Sequence, residues 1–250
     1  TLWRSEQLTD VAAGEEKVIW EMPADLENIW APELHFIEGQ WIVYFAANKP
    51  SETHRMYALI NDQADPYSGE WVLKAVDGMD DTFAIDGTVL TLGDTNYFIW
   101  SGWAGYENVA QNIYIAAMTS PTSVQGEKQL ISAPEYAWVM KQTPLINEAP
   151  QVIIKENTVN LVYSGSGSWD NDYALGLLTL ATDADPLVKD NWQKETEPIF
   201  QQTDAVCGPG HNGFAKSKDG TEDWLIYHAA RWDHSGWARS IRLQSFTWDE

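Results

Sequence analysis

Runs of β-branched and aromatic residues, separated by turns rich in Gly, Asn, Asp and Pro, follow one another along the whole chain. No long segment keeps its apolar residues at the 3.6-residue period of an amphipathic helix. We therefore predict a chain built almost entirely of β-strands. Four of the runs have an aromatic centre and recur along the sequence, at Gln40–Phe45, Asn96–Trp100, Val159–Tyr163 and Asp223–Tyr227.

A short strand precedes each aromatic strand, and a further strand follows it, over residues 54–60, 111–118, 173–180 and 239–246. The heads of the preceding strands read Ala31–Leu34, Ile85–Thr88, Asn147–Pro150 and Gly210–Gly213, and each head contains an ionisable residue. Those residues are Glu33, Asp86, Glu148 and His211, which are 53, 62 and 63 residues apart. This spacing is slightly longer than the roughly 40–50 residues of common propeller repeats. The repeat predicts four propeller blades of three or four strands.

The innermost strand of each propeller blade lines the central axis, so the four ionisable residues are expected to converge there. Residues 2–5 and 17–20 match the outer strands of later blades, at 69–76 and 192–200, but no inner strands precede them. We therefore predict an all-β, five-bladed β-propeller whose first blade is incomplete in these residues. No linker or low-complexity tract divides the chain, so residues 1–250 are predicted to form a single domain.

The charge of the chain restricts its partners. A net charge of -22, from 37 acidic and 15 basic residues, opposes binding to nucleic acid or to anionic membranes. The 14 Trp and 10 Tyr supply flat rings that suit the apolar faces of sugars as well as core packing. The single cysteine, Cys207, excludes an internal disulfide framework. The first residues are not a basic segment followed by an apolar one, so we expect any signal peptide to have been removed already.

Carboxylates and a histidine around an aromatic-lined hollow suit glycoside hydrolysis, in which a carboxylic acid protonates the leaving oxygen and a carboxylate activates water. This chemistry requires neither a metal nor a nucleotide. The acid must keep its proton near neutral pH, and a second carboxylate nearby raises its pKa. Glu148 and Asp86 are candidates for that pair. Trp30 and Trp103 lie next to the heads or at strand ends, where they either bind substrate or pack in the core.

At these residues the chain resembles glycoside hydrolase family 43, whose members are five-bladed propellers that act mainly on α-L-arabinofuranosides and β-xylosides. The resemblance covers nearly the whole chain. It implies that Glu148 is the general acid, that Asp86 tunes the pKa of Glu148 and orients it, and that His211 lies at the propeller centre, where it holds water or, in some members, calcium. The matching segments are Trp30–His35, Tyr44–Ala47, His54–Tyr57, Ala84–Thr88, Asn147–Pro150 and Gly208–Asn212.

The general base of that family is an Asp in an Asp-Pro pair on the first inner strand, ahead of the segment that here reads Leu2–Ser5. The resemblance therefore places the base upstream of Thr1, outside this chain. Asp65-Pro66-Tyr67 also contains an Asp-Pro pair, but it follows the third strand of a blade, so we interpret it as a turn. The family also carries an Arg directed at the active centre, which Arg242 matches. The alternative for Arg242 is an exposed strand residue.

The resulting functional hypothesis is an inverting, exo-acting α-L-arabinofuranosidase that removes arabinose from arabinan or arabinoxylan side chains. A β-xylosidase or an endo-arabinanase on the same scaffold stays open, and so does a carbohydrate-binding propeller without catalysis. We expect a secreted monomer whose partner is a plant cell-wall oligosaccharide or polysaccharide. No cofactor is required, and a central calcium ion at His211 is the one metal to consider.

Overall fold

The computed structural model describes residues 1–248, which form seventeen strands and two short 3₁₀ turns, Leu8–Ala13 and Lys189–Asn191. Strands β1 (Leu2–Arg4) and β2 (Glu15–Lys17) form a two-stranded sheet. The remaining strands form four antiparallel units, which we call blades A to D. No helix in this part of the chain is long and apolar enough to cross a membrane.

The four blades follow each other in chain order, and each runs from an inner strand outwards. Blade A contains β3 (Glu27–Ile37), β4 (Gln40–Asn48), β5 (Arg55–Asn61) and β6 (Val72–Ala75). Blade B contains β7 (Ala84–Leu92), β8 (Thr95–Gly102), β9 (Ala110–Ser120) and β10 (Ser123–Ser132). Blade C contains β11 (Leu145–Lys155), β12 (Thr158–Gly165), β13 (Ala174–Ala181) and β14 (Gln193–Lys194). Blade D contains β15 (Cys207–Lys216), β16 (Asp223–Ala230) and β17 (Arg239–Phe246).

The inner strands meet one another in sequence: β3 contacts β7, β7 contacts β11, and β11 contacts β15. The all-β propeller fold predicted from the repeat is therefore confirmed. Of the two stretches predicted as outer strands of a further blade, the first matches β1. The second strand covers 15–17 instead of 17–20. Trp20 lies beyond its end and packs its ring against Phe45 of blade A, with ring centroids 5.7 Å apart.

Apolar side chains fill the spaces between blades. Alternate residues of β4 point to opposite faces, so Ile42, Tyr44 and Ala46 pack towards blade B while Val43 and Phe45 pack on the other face. This explains why β4 is a continuous apolar run: both of its faces are covered, as are those of β8, whose Phe98 and Ile99 lie in different core clusters. A second cluster joins blades B and C in the same way, and it includes Leu90, Ile99, Ile113, Ile115, Val159, Leu161, Tyr163 and Leu178.

Each inner strand carries a one-residue bulge, in which three residues lie opposite two on the neighbouring strand, and β3 and β15 carry a second bulge just before it, at Asn28 and Gly208. The later bulge is common to all four strands. The first residue of that bulge has a positive φ in every blade: Ala31 (44°), Asp86 (56°), Ala149 (50°) and His211 (51°). Such a φ is uncommon for residues other than glycine.

The bulges correct the sequence-based alignment of the four ionisable residues. Asp86 and His211 occupy the bulge itself, whereas Glu148 precedes its bulge by one residue and Glu33 follows its bulge by two. Choosing the ionisable residue in each head therefore aligned positions that are not equivalent, because a single inserted residue changes the face on which a side chain lies.

We expect Gly87→Ala to lower the free energy of unfolding by about 1–3 kcal/mol, as overpacking does. Gly87 is the second bulge residue of β7, and a methyl group there would overlap Phe98 and lie 2.7 Å from Met56 Cε. Urea denaturation of the variant measures the change. Gly105→Ala is the matched control because no atom lies within 4 Å of its added Cβ. Equal stability of the two variants would show that the bulge adapts without cost.

Candidate active site

Two buried carboxylates from neighbouring inner strands form the centre of the site. Asp86 lies in the bulge of β7, and Glu148 is the fourth residue of β11. The Asp86 Oδ2 atom accepts a hydrogen bond of 2.9 Å from the backbone N–H of Ala149. The residue that follows Glu148 is thus bound directly by Asp86, which fixes the two carboxylates relative to each other.

The environment of Glu148 keeps this group protonated at neutral pH. Burial and then the negative charge of Asp86 raise the pKa of Glu148 to about 8. A hydrogen bond from Tyr173 and the positive charge of Arg239 act in the opposite direction. Burial also raises the pKa of Asp86, while the charge of His211 and the Ala149 N–H oppose that rise. A carboxylic acid with a raised pKa beside a second carboxylate is the arrangement that a general acid requires.

Tyr173 fixes the carboxyl group of Glu148 through a hydrogen bond. Its buried hydroxyl donates a hydrogen bond of 2.7 Å to Glu148 Oε1, which leaves Oε2 as the other oxygen of the acid. The Tyr173 ring stacks on His228, with centroids 5.8 Å apart, and the Arg239 guanidinium lies 5.3 Å from its centre. Sequence analysis missed Tyr173 as a site residue, because nothing in the letters shows that the first residue of a predicted strand faces the acid of the preceding inner strand.

Arg239 and His228 form a fixed pair beside this tyrosine. The Arg239 Nε donates to His228 Nδ1, and its Nη2 donates to the Gly208 carbonyl. Burial and the positive charge of Arg239 lower the pKa of His228 to about 3. The imidazole is therefore neutral, as its role as an acceptor from Arg239 requires.

The arginine that acts on the acid is Arg239, and not the Arg242 selected from the sequence. Arg242 lies three residues farther along β17, opposite Tyr227, and its charge affects the pKa of that tyrosine. Arg239, at the start of the same strand, is the arginine whose charge acts on Glu148 and on Tyr173. The sequence located this strand but did not single out Arg239, because strand boundaries alone do not show which residue reaches the acid; the role of Arg242 stays a prediction.

We expect Tyr173→Phe to move the alkaline limb of the kcat/KM profile to higher pH by about one unit. The tyrosine hydroxyl stabilises the ionised form of Glu148, so its removal raises the pKa of the acid further. The measurement is a pH–rate profile of wild type and variant. Tyr163→Phe is the matched control, because Tyr163 is equally buried and packs against Trp138 in the core. A limb that stays in place would contradict this role of Tyr173.

A second polar layer lies next to the carboxylate pair along the axis. Glu33, Thr88 and Gln151 occupy equivalent positions, two residues after the bulge in blades A, B and C. Glu33 Oε1 accepts a hydrogen bond of 2.6 Å from Thr88 Oγ1, and Glu33 Oε2 accepts one from Gln151 Nε2. These bonds join three blades and engage both carboxylate oxygens of Glu33, as expected for a structural residue.

His211 lines a central cavity of about 420 Å³ together with Glu33, Asp86 and Asn212. Its backbone N–H donates to Ser164 Oγ at 2.7 Å. The side-chain amide of Asn212 is buried and has no hydrogen-bond partner among residues 1–248. Within the same residues no three His, Cys, Asp or Glu side chains form a group that could hold a metal ion. Calcium takes six to eight oxygen ligands, so a calcium ion at His211 would depend on water for most of them and stays a prediction.

The two candidate tryptophans have different surroundings. Trp30 is 46% exposed and stacks on His54, with ring centroids 3.7 Å apart. It precedes the bulge of β3 by one residue, the position that Glu148 occupies in blade C. Trp103 stacks instead on Phe83, 4.6 Å between centroids, and packs against the core between blades A and B. The contacts of Trp103 are those of the core-packing alternative, whereas Trp30 presents a free ring face near the carboxylates.

The Asp65-Pro66 pair lies in a turn, as interpreted from the sequence. Asp65 Oδ1 accepts a hydrogen bond of 3.0 Å from the Tyr67 N–H, and the Asp65 carbonyl accepts one from the Ser68 N–H. The Asp65 carboxylate also lies 3.4 Å from the Arg4 guanidinium at the surface. These contacts tie Asp65 to the two-stranded sheet and to its own turn.

Known proteins are similar to this chain in sequence and in fold. An extracellular exo-α-(1→5)-L-arabinofuranosidase of Streptomyces avermitilis is 35% identical over 262 residues, which cover 99% of this chain and 54% of that protein. An α-L-arabinofuranosidase 43 of Humicola insolens is 33% identical over 91% of this chain and 48% of its own length. The chain thus spans about half the length of these two relatives.

The crystal structure of an α-L-arabinofuranosidase from Lactobacillus brevis superimposes with a TM-score of 0.91 at 34% identity, covering 99% of this chain and 83% of that one. The family sequence model described as glycosyl hydrolases family 43 matches residues 1–250. Repeat, fold, sequence and structural likeness agree, and the chain belongs to glycosyl hydrolases family 43.

Proposed function

We propose that the protein is an inverting, exo-acting α-L-arabinofuranosidase that releases arabinose from arabinan or from the side chains of arabinoxylan. The observation that carries this proposal is the pair of buried carboxylates, in which Glu148 has a pKa of about 8 beside Asp86. Relatives 33–35% identical to this chain are named arabinofuranosidases, which supports the sugar specificity.

In the proposed reaction Glu148 gives its proton to the glycosidic oxygen while the bond from that oxygen to the anomeric carbon breaks. The resulting Glu148 carboxylate is stabilised by the Tyr173 hydroxyl and by the charge of Arg239. Water attacks the opposite face of the sugar and passes a proton to a general base, roughly 6.5 to 9.5 Å from the acid. Asp65 is held in a turn and Glu33 is bonded between blades, so neither is assigned as that base.

Asp86 has two roles in this proposal. Its negative charge is a cause of the raised pKa of Glu148, and its bond to the Ala149 N–H holds the backbone that carries the acid. Trp30 supplies an exposed aromatic face for the sugar ring. Arg242 and Trp103 are further candidates for substrate binding, although Trp103 stacks on Phe83 and the charge of Arg242 acts on Tyr227.

We also propose which substrate the protein acts on and where it acts. A neutral plant cell-wall oligosaccharide or polysaccharide is compatible with a net charge of -22, and two relatives are named extracellular, which supports secretion. We propose a monomer whose reaction requires no cofactor.

A panel of nitrophenyl glycosides and linear arabinan tests the activity in the full-length protein. We expect cleavage of the α-L-arabinofuranoside, little cleavage of the β-D-xyloside, and release of free arabinose as the main product from arabinan. Preferred cleavage of the xyloside would make the protein a β-xylosidase. Early release of oligosaccharides from arabinan would make it an endo-arabinanase. Sugar binding without turnover would favour the non-catalytic alternative.

A further inference from the structure

Blade B holds the backbone on both sides of Glu148, although Glu148 itself belongs to blade C. After the acid, the Ala149 N–H donates to Asp86. Before the acid, the Ser101 hydroxyl donates a hydrogen bond of 2.9 Å to the Asn147 carbonyl. Both bonds are buried. The backbone position of the acid is therefore set at two points, one residue before it and one residue after it.

The direction of the Asn147 carbonyl follows from the pairing of β11 with its own blade. The preceding carbonyl, that of Ile146, accepts a hydrogen bond of 3.0 Å from the Ser166 N–H of blade C. Successive carbonyls of a strand point to opposite sides, so the Asn147 carbonyl points away from blade C and towards blade B. A buried carbonyl in this place needs a donor from blade B, and Ser101 supplies it.

The sheet of blade B fixes Ser101 relative to Asp86. Ser101 is the last residue but one of β8, is fully buried, and lies opposite Ile85, which directly precedes Asp86. On its other side Ser101 lies opposite Ile113 of β9. Because strands on both sides hold it, the Ser101 hydroxyl relates the strand that carries Asp86 to the strand that carries Glu148.

The Asn147 side chain makes a further bond to the same blade. Its Nδ2 donates at 3.0 Å to the Oγ of Ser132, the last residue of β10, and both residues are buried. Ser101, Asn147 and Ser132 carry no charge, so they affect the proton on Glu148 only through the position in which they hold it. The titratable and charged groups that act on Glu148 are Asp86 of blade B, Tyr173 of blade C and Arg239 of blade D.

We infer that Ser101 is a positioning residue for the reaction, which holds Glu148 at its working distance from Asp86 and from the glycosidic oxygen. The inference rests on the proposed function, because it takes Glu148 as the acid. The Coulomb interaction weakens with distance, so a Glu148 displaced from Asp86 loses its proton more readily. Displacement also slows proton transfer, because proximity and orientation lower the barrier.

The test is Ser101→Ala in the full-length protein, with α-1,5-linked arabinotriose as substrate because its leaving sugar requires the proton. The variant removes the donor to the Asn147 carbonyl, which β11 must shift to replace. We expect kcat to fall about tenfold while KM changes by less than about twofold. The alkaline limb of the kcat/KM profile should move to lower pH by about half a unit. In a Glu148→Gln background, Ser101→Ala should lower kcat further by no more than about twofold.

Tyr44→Phe is the matched control. The buried Tyr44 hydroxyl also donates to a backbone carbonyl of blade B, that of Pro121, at 2.5 Å. Pro121 follows the end of β9, whereas β11 begins beside the start of β9, so this bond is a strand length away from the acid. Tyr44→Phe should keep the wild-type kcat and the wild-type alkaline limb.

Two kinetic results overturn the inference: an alkaline limb that stays in place, or a loss of kcat that is equally large in the Glu148→Gln background. If Ser101→Ala does not fold, Ser101→Cys takes its place, because a thiol is a weaker donor of similar size. The limb should then move in the same direction by a smaller amount, and a limb at the wild-type pH overturns the inference.

Thermal unfolding measures the same effect without turnover. Wild-type stability should fall as pH rises from 4.5 to about 8, and in the Ser101 variant this fall should end at a lower pH. An end point equal to that of wild type overturns the inference. If wild-type protein cleaves no arabinofuranoside, the proposed function has failed, and the unfolding measurement still decides whether Ser101 positions Glu148.

Discussion

Glu148→Gln is expected to lower kcat/KM for an arabino-oligosaccharide by about 10²- to 10⁴-fold, the contribution of a positioned general acid. Glutamine has nearly the shape of glutamic acid and can keep the hydrogen bond from Tyr173, but it has no proton to give. In the wild type we expect kcat/KM to fall as pH rises through about 8, because Glu148 loses its proton there. The variant should lack this alkaline limb.

The leaving group supplies the control for this prediction. A dinitrophenyl arabinofuranoside releases a stable anion that needs no protonation, so Glu148→Gln should retain most of its activity on that substrate. An equal loss on both substrates would contradict the assignment of Glu148 as the acid.

Stability gives an independent measurement on the same variant. The pKa of Glu148 is 4.5 in the unfolded reference and about 8 in the folded chain, so the folded chain binds the extra proton between these values. Wild-type stability should therefore fall as pH rises through that window. Glu148→Gln removes this loss and should unfold at a higher temperature than wild type above pH 8, with little difference near pH 4.

Asp86→Asn is expected to lower kcat/KM by about 10- to 100-fold near pH 7. The negative charge of Asp86 helps to keep the proton on Glu148, so without it the pKa of Glu148 falls and less acid is present at neutral pH. The amide oxygen of the introduced asparagine can still accept from the Ala149 N–H, which preserves the backbone contact. The alkaline limb should move to lower pH, and the loss of activity should be smaller at pH 5 than at pH 7.

A double variant distinguishes an action through Glu148 from a direct role in the reaction. If Asp86 acts through the acid, Glu148→Gln/Asp86→Asn should be no worse than Glu148→Gln alone by more than about twofold, because residues that act as a unit are not additive. Multiplicative losses in kcat would show that Asp86 has a separate role at the reacting atoms.

Much of the fold follows from the pattern of apolar runs. The aromatic strands of blades A and B were located because both of their faces are buried, which makes their apolar runs continuous. The run in β16 is only half-buried over its first four residues but is equally apolar. The last predicted strand, 239–246, agrees with β17 at both ends. The bulges were not predicted, because a single residue with positive φ leaves no reliable mark when it is Ala31 or Ala149 and not glycine. Because the bulges were not predicted, Glu33 and Glu148 were wrongly treated as equivalent in position to Asp86 and His211.

The site was predicted in part, for related reasons. Asp86 and Glu148 lie in segments whose resemblance to a family is strong, and the structure brings them together through Ala149. Tyr173 was missed because its bond to Glu148 joins the first strand of blade C to the residue directly before its third strand, and Arg239 was missed because its charge acts on Glu148 from blade D. No local pattern of residues encodes either relation.

The separation of strand residues from connecting residues has a consequence for how this chain tolerates sequence change. The groups that set the proton affinity of Glu148 lie on strands or directly beside one, as Asp86, Tyr173 and Arg239 do. A cavity of about 550 Å³ next to Tyr173, in contrast, is walled largely by the connections between strands. Connections tolerate insertion and substitution far better than packed strands. Sequence drift can therefore reshape the surface around Tyr173 while the proton affinity of Glu148 is inherited unchanged.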